Sequence, residues 1–274
     1  MIQITVLLEN TSVREDILCR HGLSIHVRTP EHSILLDMGP DEAFARNAEV
    51  MGIDLEKVDL AVLSHGHYDH GGGLTTFFQR NGHAPLYLRE EALGGQYSRS
   101  GSPKPRYIGL EAPMDRSRLH FAGDVLTIDR ELTLFSAVRC QEPPLRSNAV
   151  LLRQEGENLV QDTFRHEQNL LITVEDTAVL LAGCAHRGIV PILEQCEALL
   201  GRSPDVVLGG FHLHSPRTGE TEPEPVIRQI GAELARRGSR YYTGHCTGSR
   251  AYDQLKQQLG DRLLPMYGGL VLKI

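Results

Sequence analysis

Tryptophan is absent from this 274-residue chain, and aromatic residues make up only 5% of it, so stacking platforms for single-stranded nucleic acid are sparse. Excess positive charge is missing too. Lys and Arg number 28 against 35 Asp and Glu, a formal net charge of −7 at pH 7, which argues against a general nucleic-acid surface. Cysteine is scarce: the five are odd in number and none forms a C-x-x-C pair. That speaks against a disulfide framework or a four-cysteine zinc site and for a reducing compartment. No apolar run approaches the length of a membrane span. Residues 1–8 lack a basic leader and a small-residue cleavage site, and read as a first strand. The expectation is a cytoplasmic protein with neither membrane nor nucleic acid as partner. The oligomeric state is left open.

What is present begins with enough apolar residue, 41% of the chain, to fill a sizeable core. No linker, repeat or low-complexity tract divides residues 1–274, which read as a single domain. Strands are expected at 2–8, 24–28, 33–37, 58–64, 85–89, 132–138, 147–153, 169–174, 178–183, 205–209 and 240–243, with a closing hairpin at 263–273. Helices are expected from Asp41, as N-cap, to Gly52, then at 73–80, 188–200, 224–237 and 248–259. Strands cluster in each half and helices follow them, the pattern of an α/β (α+β) fold with two sheets face to face and helices outside. Residues 90–120 lose this periodicity. Glycine and proline punctuate them, and Arg99, Lys104, Arg106, Arg116 and Arg118 make them basic. They read either as a solvated loop or as a lid over a site for an anionic substrate.

The densest chemistry lies in Ser64-His65-Gly66-His67-Tyr68-Asp69-His70, between the apolar run Leu60-Ala61-Val62-Leu63 and Gly71-Gly72-Gly73. In an extended segment His65 and His67 point to one side and can reach one ion. Asp69 and His70 follow where the chain turns and can face a second. Nitrogen and oxygen donors in this mixture suit zinc. His186 follows the run Ala178-Val179-Leu180-Leu181-Ala182, and His245 follows Tyr241-Tyr242-Thr243-Gly244. Three strand ends thus carry histidine and can converge on one edge; capping is the plainer role for His186 and His245. Gly209-Gly210-Phe211-His212 ends another strand, and His212 is either a core histidine or a proton donor.

The run 64–70 resembles the H-x-H-x-D-H signature of the metallo-β-lactamase superfamily, and Ile34-Leu35-Leu36-Asp37-Met38-Gly39 is similar to its early strand ending in Asp-x-Gly. S-H-G-H-Y-D-H-G-G-G-L, Gly183-Cys184-Ala185-His186, Gly209-Gly210-Phe211-His212 and Gly244-His245-Cys246-Thr247-Gly248 resemble one branch. Its members are named metal-dependent hydrolases or 7,8-dihydropterin-6-methyl-4-(β-D-ribofuranosyl)aminobenzene 5′-phosphate synthases. The resemblance implies a four-layer αββα sandwich with two zinc ions at a shared sheet edge, the second open to partial occupancy, iron or manganese being alternatives. It assigns His65, His67 and His186 to one ion and Asp69, His70 and His245 to the other. Many members place a bridging aspartate where this chain has Cys184, which is then either a sulfur ligand or a packing residue. His166 competes with His186, and His166 or Glu167 would otherwise support the ligands. Asp37 would orient the metal loop. Asn10, Arg99, Lys104 and Arg106 would contact substrate.

The function implied is hydrolysis of a small anionic, phosphorylated ester by a metal-activated hydroxide that Asp69 orients and His212 assists. A dihydropterin-transferring synthase is the alternative. A diiron redox protein is the third reading, disfavoured because diiron members carry an acidic residue where this chain has His67.

Overall fold

The runs Leu60-Ala61-Val62-Leu63 and Ala178-Val179-Leu180-Leu181 fail to alternate with polar residues because both faces of their strands are buried. A computed structural model of the chain describes residues 1–99, 104–111 and 116–274. The first half runs β1 (Gln3–Leu8), β2 (Ser24–Arg28), β3 (Ser33–Leu36), α1 (Ala43–Val50), β4 (Leu60–Val62), α2 (Tyr68–Gly71), α3 (Leu74–Arg80), β5 (Leu86–Leu88), β6 (Gln96–Ser98), β7 (Arg106–Tyr107), β8 (Leu119–Phe121), β9 (Val125–Thr127) and β10 (Leu132–Phe135). The second runs β11 (Leu151–Glu155), β12 (Asn158–Gln161), β13 (Asn169–Val174), β14 (Thr177–Leu181), α4 (Ile189–Leu200), β15 (Val206–Leu208), α5 (Glu224–Ala235), β16 (Arg240–Thr243), α6 (Ser249–Leu259), β17 (Leu263–Pro265) and β18 (Val271–Lys273).

Among the described residues one sheet has the order β18-β1-β2-β3-β4-β5-β8 and a second the order β17-β16-β15-β14-β13-β10-β9. They face each other through alternate residues: Ile34, Leu36 and Val62 from one meet Ile172, Val179, Leu181 and Leu208 from the other. The residues between these point outward. Leu35, Ala61 and Leu63 pack under Phe44 of α1 and Phe77 of α3. Leu180 and Val207 pack under Ile192 of α4, Ile227 of α5 and Leu255 of α6. This is the αββα sandwich. The stretch β3-β4-β5 and the stretch β14-β15-β16 are each parallel, so the carboxyl ends of β3, β4, β14, β15 and β16 are free to carry a site.

Three expectations need correction. Residues 263–273 do not form a hairpin: β17 pairs with β16 in one sheet and β18 with β1 in the other. The link crosses the end of the sandwich, where Gly268 donates to the Thr11 carbonyl and Gly269 to that of Val6. Residues 90–120 are not irregular throughout, because β6 and β7 join β11 and β12 in a small third sheet of order β12-β11-β6-β7. Residues 100–103 and 112–115 of the expected lid lie outside the described residues. The strand expected from residue 147 starts only at Leu151. Before it, the Ser147 hydroxyl donates to the His212 carbonyl and the Asn148 amide to the His186 carbonyl. These bonds hold residues 146–148 in a helical turn.

His26 on β2 offers a pH probe of the fold away from the site. Burial, with a smaller push from Arg28, lowers its ring from 6.5 to about 4. The unfolded chain therefore takes up this proton more readily between those values. The folded state keeps its full stability above pH 6.5 and loses it as pH falls towards 4. A loss on the order of 3 kcal/mol is expected across that window. His26→Leu should flatten this part of a stability–pH curve measured by denaturant unfolding; an unchanged slope would remove His26 as the cause.

Candidate metal centre

Loops at four strand ends deliver the histidines. After β4 the chain stays extended through His67, whose ψ is 146°, and then enters α2. His65 and His67 thus precede the turn, and Asp69 and His70 lie within it. His186 follows β14, His212 follows β15 and His245 follows β16. These junctions are strained. Asp37, Phe164, Ala185, His212 and His245 all have φ between 47° and 57°, a region that costs most side chains about 1–3 kcal/mol. The sheets approach closely here, where a Cβ on Gly183 would collide with Ser64 Oγ; within the second sheet one on Gly210 would collide with Cys246 Sγ.

Two sets of donors result. In the first, His65, His67 and His186 present ring nitrogens within 4.8 Å of one another, with His65 Nε2 3.3 Å from His186 Nε2. In the second, His70 Nε2 lies 3.2 Å from His245 Nε2, and Asp69 Oδ2 lies 3.5 Å from the latter and 3.9 Å from the former. Cys184 Sγ stands between, 3.2 Å from His70 Nε2 and grouped also with His65.

Outer hydrogen bonds decide which nitrogen faces inward. Asp37 accepts from the Ser64 backbone and hydroxyl, both at 2.7 Å, and from His70 Nδ1 at 2.6 Å. Ser64 Oγ, its proton given to Asp37, accepts from His65 Nδ1 at 2.9 Å. Asn148 Oδ1 receives His186 Nδ1 at 3.2 Å, and Asn10 Oδ1 receives His245 Nδ1 at 3.0 Å. Each of these four rings therefore turns Nε2 towards the centre. This is how ligand histidines are oriented and made more basic. Among the described residues His67 Nε2 is buried with no hydrogen-bond partner, as are both ring nitrogens of His212. Lone pairs converging in this way fit a cation better than they fit one another.

Protonation agrees with that fit in the first donor set. Burial pushes His67 down to about 3 and holds His65 and His186 well below the usual histidine range. Their lone pairs are thus free at neutral pH. Burial opposes charge on Asp69, but His70 and then His245 hold its carboxyl well below the usual range. Burial opposes charge on His245 as well, but the hydrogen bond to Asp69 and the nearby Cys246, Asp69 and Glu9 together outweigh it, raising the ring to about 9, so this ring must give up a proton to act as a ligand.

The remaining expected residues fall into place around this cluster. His166 is not in either set: its Nδ1 accepts from the Gly66 backbone and its Nε2 meets Asp162 at 3.0 Å. Glu167 accepts from the backbone of His186 and Arg187. His212 lines the cavity, its ring centroid 4.1 Å from that of His186. Asn10 grips His245 and does not line the cavity. Arg99, Lys104 and Arg106 do not line it either; Arg106 covers the outer face of Tyr68, 5.9 Å from the ring centroid.

Sequence reasoning missed several lining residues. His21 sets Nε2 3.3 Å from Asp69 Oδ2 and stacks on His245. Its sequence context, a loop histidine before Gly22, gave little signal. Cys246, Ser147 and Arg217 line the same cavity, with Ile108, just past β7, and Leu151 of β11 forming an apolar wall. Arg217 lies on the segment from His214 to Thr221, which are bridged as a strand pair.

The metallo-β-lactamase superfamily profile matches residues 18–135. Among characterised relatives, the chain is 23% identical to the 7,8-dihydropterin-6-methyl-4-(β-D-ribofuranosyl)-aminobenzene-5′-phosphate synthase of Methanocaldococcus jannaschii, over 93% of this chain and 90% of that one. A solved metal-dependent hydrolase of the β-lactamase superfamily superposes with a TM-score of 0.84 at 27% identity, covering 100% of this chain and 99% of the other. The Zn2+-bound PqqB of Methylobacterium extorquens shares the fold, with a TM-score of 0.54 at 14% identity over 99% and 100% of the two chains. With its αββα sandwich, its profile match over residues 18–135 and its histidine motifs in the superfamily's order, the chain resembles the metallo-β-lactamase superfamily.

Proposed function

We propose that the protein is a metal-dependent hydrolase that holds two zinc-type ions and cleaves a small anionic, phosphorylated ester. The observation that carries this reading is the pair of inward-facing donor sets, each locked from outside by hydrogen bonds. His65, His67 and His186 would hold one ion and Asp69, His70 and His245 the other, with Cys184 adding a sulfur donor between them. When bound, such ions supply Lewis-acid polarisation and lower the pKa of water. Asp69, kept ionised by its neighbours, would accept a hydrogen bond from the attacking water and orient it. His212, with its ring nitrogens unengaged, faces the cavity where a leaving group would depart and can protonate it. The free thiols support a reducing, cytoplasmic setting.

Arg217 takes the anion-gripping role expected of Arg99, Lys104 and Arg106, since it lines the cavity and they do not. Arg217→Ala should raise KM for a phosphorylated ester about tenfold with little change in kcat, as for a contact made equally in the ground and transition states. An unchanged KM would remove the arginine from substrate binding. The decisive test of the whole reading is elemental analysis of protein purified without added metal, followed by phosphoester screening. About two zinc ions per chain with turnover is the expected result; metal-free protein would overturn it, and iron would favour redox chemistry.

A second reading, transfer of a dihydropterin group, is favoured by the synthase relative, which aligns over 93% of this chain. There the same donor sets would hold a diphosphate leaving group. Product analysis with a pterin diphosphate donor separates transfer from hydrolysis.

A further inference from the structure

Two thiols from opposite ends of the second sheet's parallel stretch meet inside the site. Cys184 follows β14, and Cys246 lies in the turn after β16. Their sulfurs, with one nitrogen of His245, all lie within 4.8 Å of one another. Each residue is only 3% exposed, yet both line the cavity, so a molecule little larger than water can reach them. The Cys246 thiol already points at the loop bearing its neighbour, donating to the Cys184 carbonyl at 3.6 Å. The other three cysteines lie elsewhere: Cys196 is buried on α4, Cys140 is exposed by the outer helices, and Cys19 is half-buried in the segment between β1 and β2. A disulfide needs its sulfurs about 2 Å apart, a distance that rotation about the side-chain bonds of two such neighbours can close.

We propose that Cys184 and Cys246 are an oxidative modification site, a dithiol that peroxide converts to a disulfide and thereby closes the second metal position. The chemistry balances with peroxide as the oxidant. One thiolate attacks a peroxide oxygen, the O–O bond breaks, and a sulfenic acid and one water form. The second thiol then attacks that sulfur, forming the S–S bond and expelling a second water. Two thiols lose two protons and two electrons in all, and one peroxide is reduced to two waters. The bond draws Cys184 Sγ from its place 3.2 Å from His70 Nε2 and ties its loop to the one that carries His245. A donor is lost and the space between the donors is altered. Bound metal would compete with this by engaging the same sulfur. The cross-link itself stands on geometry alone; its effect on metal rests on the metallohydrolase reading above.

The experiment uses the full chain, freed of metal and treated with hydrogen peroxide, then mapped by non-reducing peptide mass spectrometry. The expected product joins the peptides of Cys184 and Cys246 and is lighter by two hydrogens. Loading zinc beforehand should slow its formation about tenfold. The oxidised protein should take up about one ion per chain fewer, and a dithiol reductant should restore uptake. Cys246→Ser should stop at a sulfenic acid on Cys184, trapped by dimedone. Oxidation of Cys140 with Cys184 and Cys246 both left as thiols would overturn the proposal. A cross-link with unaltered zinc uptake would overturn its gating role. Failure of the reduced protein to bind zinc would overturn the metallohydrolase reading and the gating role together, while the peptide map would still decide the cross-link.

Discussion

Replacing His67 by alanine is expected to lower metal content from about two ions per chain to one or fewer and to cut kcat/KM by about a thousandfold or more. The reason lies in what the ring lacks. Its Nε2 is buried with no hydrogen-bond partner among the described residues, and burial holds the ring down to about 3, so a neutral lone pair is left beside the ring nitrogens of His65 and His186. A ring kept for packing alone would leave a small cavity when removed and cost stability, but not metal. Elemental analysis and thermal unfolding of the same preparation therefore separate the two roles. Full metal content in His67→Ala would remove the first donor set and the proposed function with it.

Asp37→Ala should have the largest effect on the fold itself, about 3–5 kcal/mol in denaturant unfolding. The carboxylate is wholly buried and satisfies the Ser64 backbone, the Ser64 hydroxyl and His70 Nδ1 together. Alanine would leave all three without an acceptor inside the protein. It would also sit badly at φ 57°, a conformation that asparagine tolerates. Asp37→Asn therefore isolates the charge from the backbone. It should retain much of the stability but weaken metal binding about 10–100-fold, since the amide polarises His70 less. Equal metal affinity in Asp37→Asn and the parent chain would show that the carboxylate serves only the fold.

How much could be read from the sequence depended on how local the determining contacts are. Residues 65–70 carry their own geometry: two histidines two apart in extended chain, then a turn. His186 and His245 were legible because an apolar run before each marked a strand end. The sandwich followed from runs that bury both faces. The closing segment was misread because local reasoning pairs neighbouring strands, whereas β17 and β18 find partners in different sheets. The small third sheet was missed because β6 and β7 are three and two residues long, too short for any period to register. His21 and Arg217 were missed for a related reason. Each lies in a connecting segment whose position is fixed by contacts remote in sequence, and neither is flanked by a pattern.

The bonds that hold His245 bear on how such a site comes into being. Its Nδ1 meets Asn10 across 235 positions of sequence, and its backbone meets Glu9 across 236. On a ribosome, residues 65–70 emerge long before residue 245 is made. A nascent chain thus displays an incomplete chelating motif while its counterpart is still unsynthesised. The full coordination cage closes only once the earliest strand and one of the last have docked. Such high contact order makes closure slow. On the metallohydrolase reading, metal capture would be the final act of folding, and a loaded centre would certify that both halves of the chain have found each other.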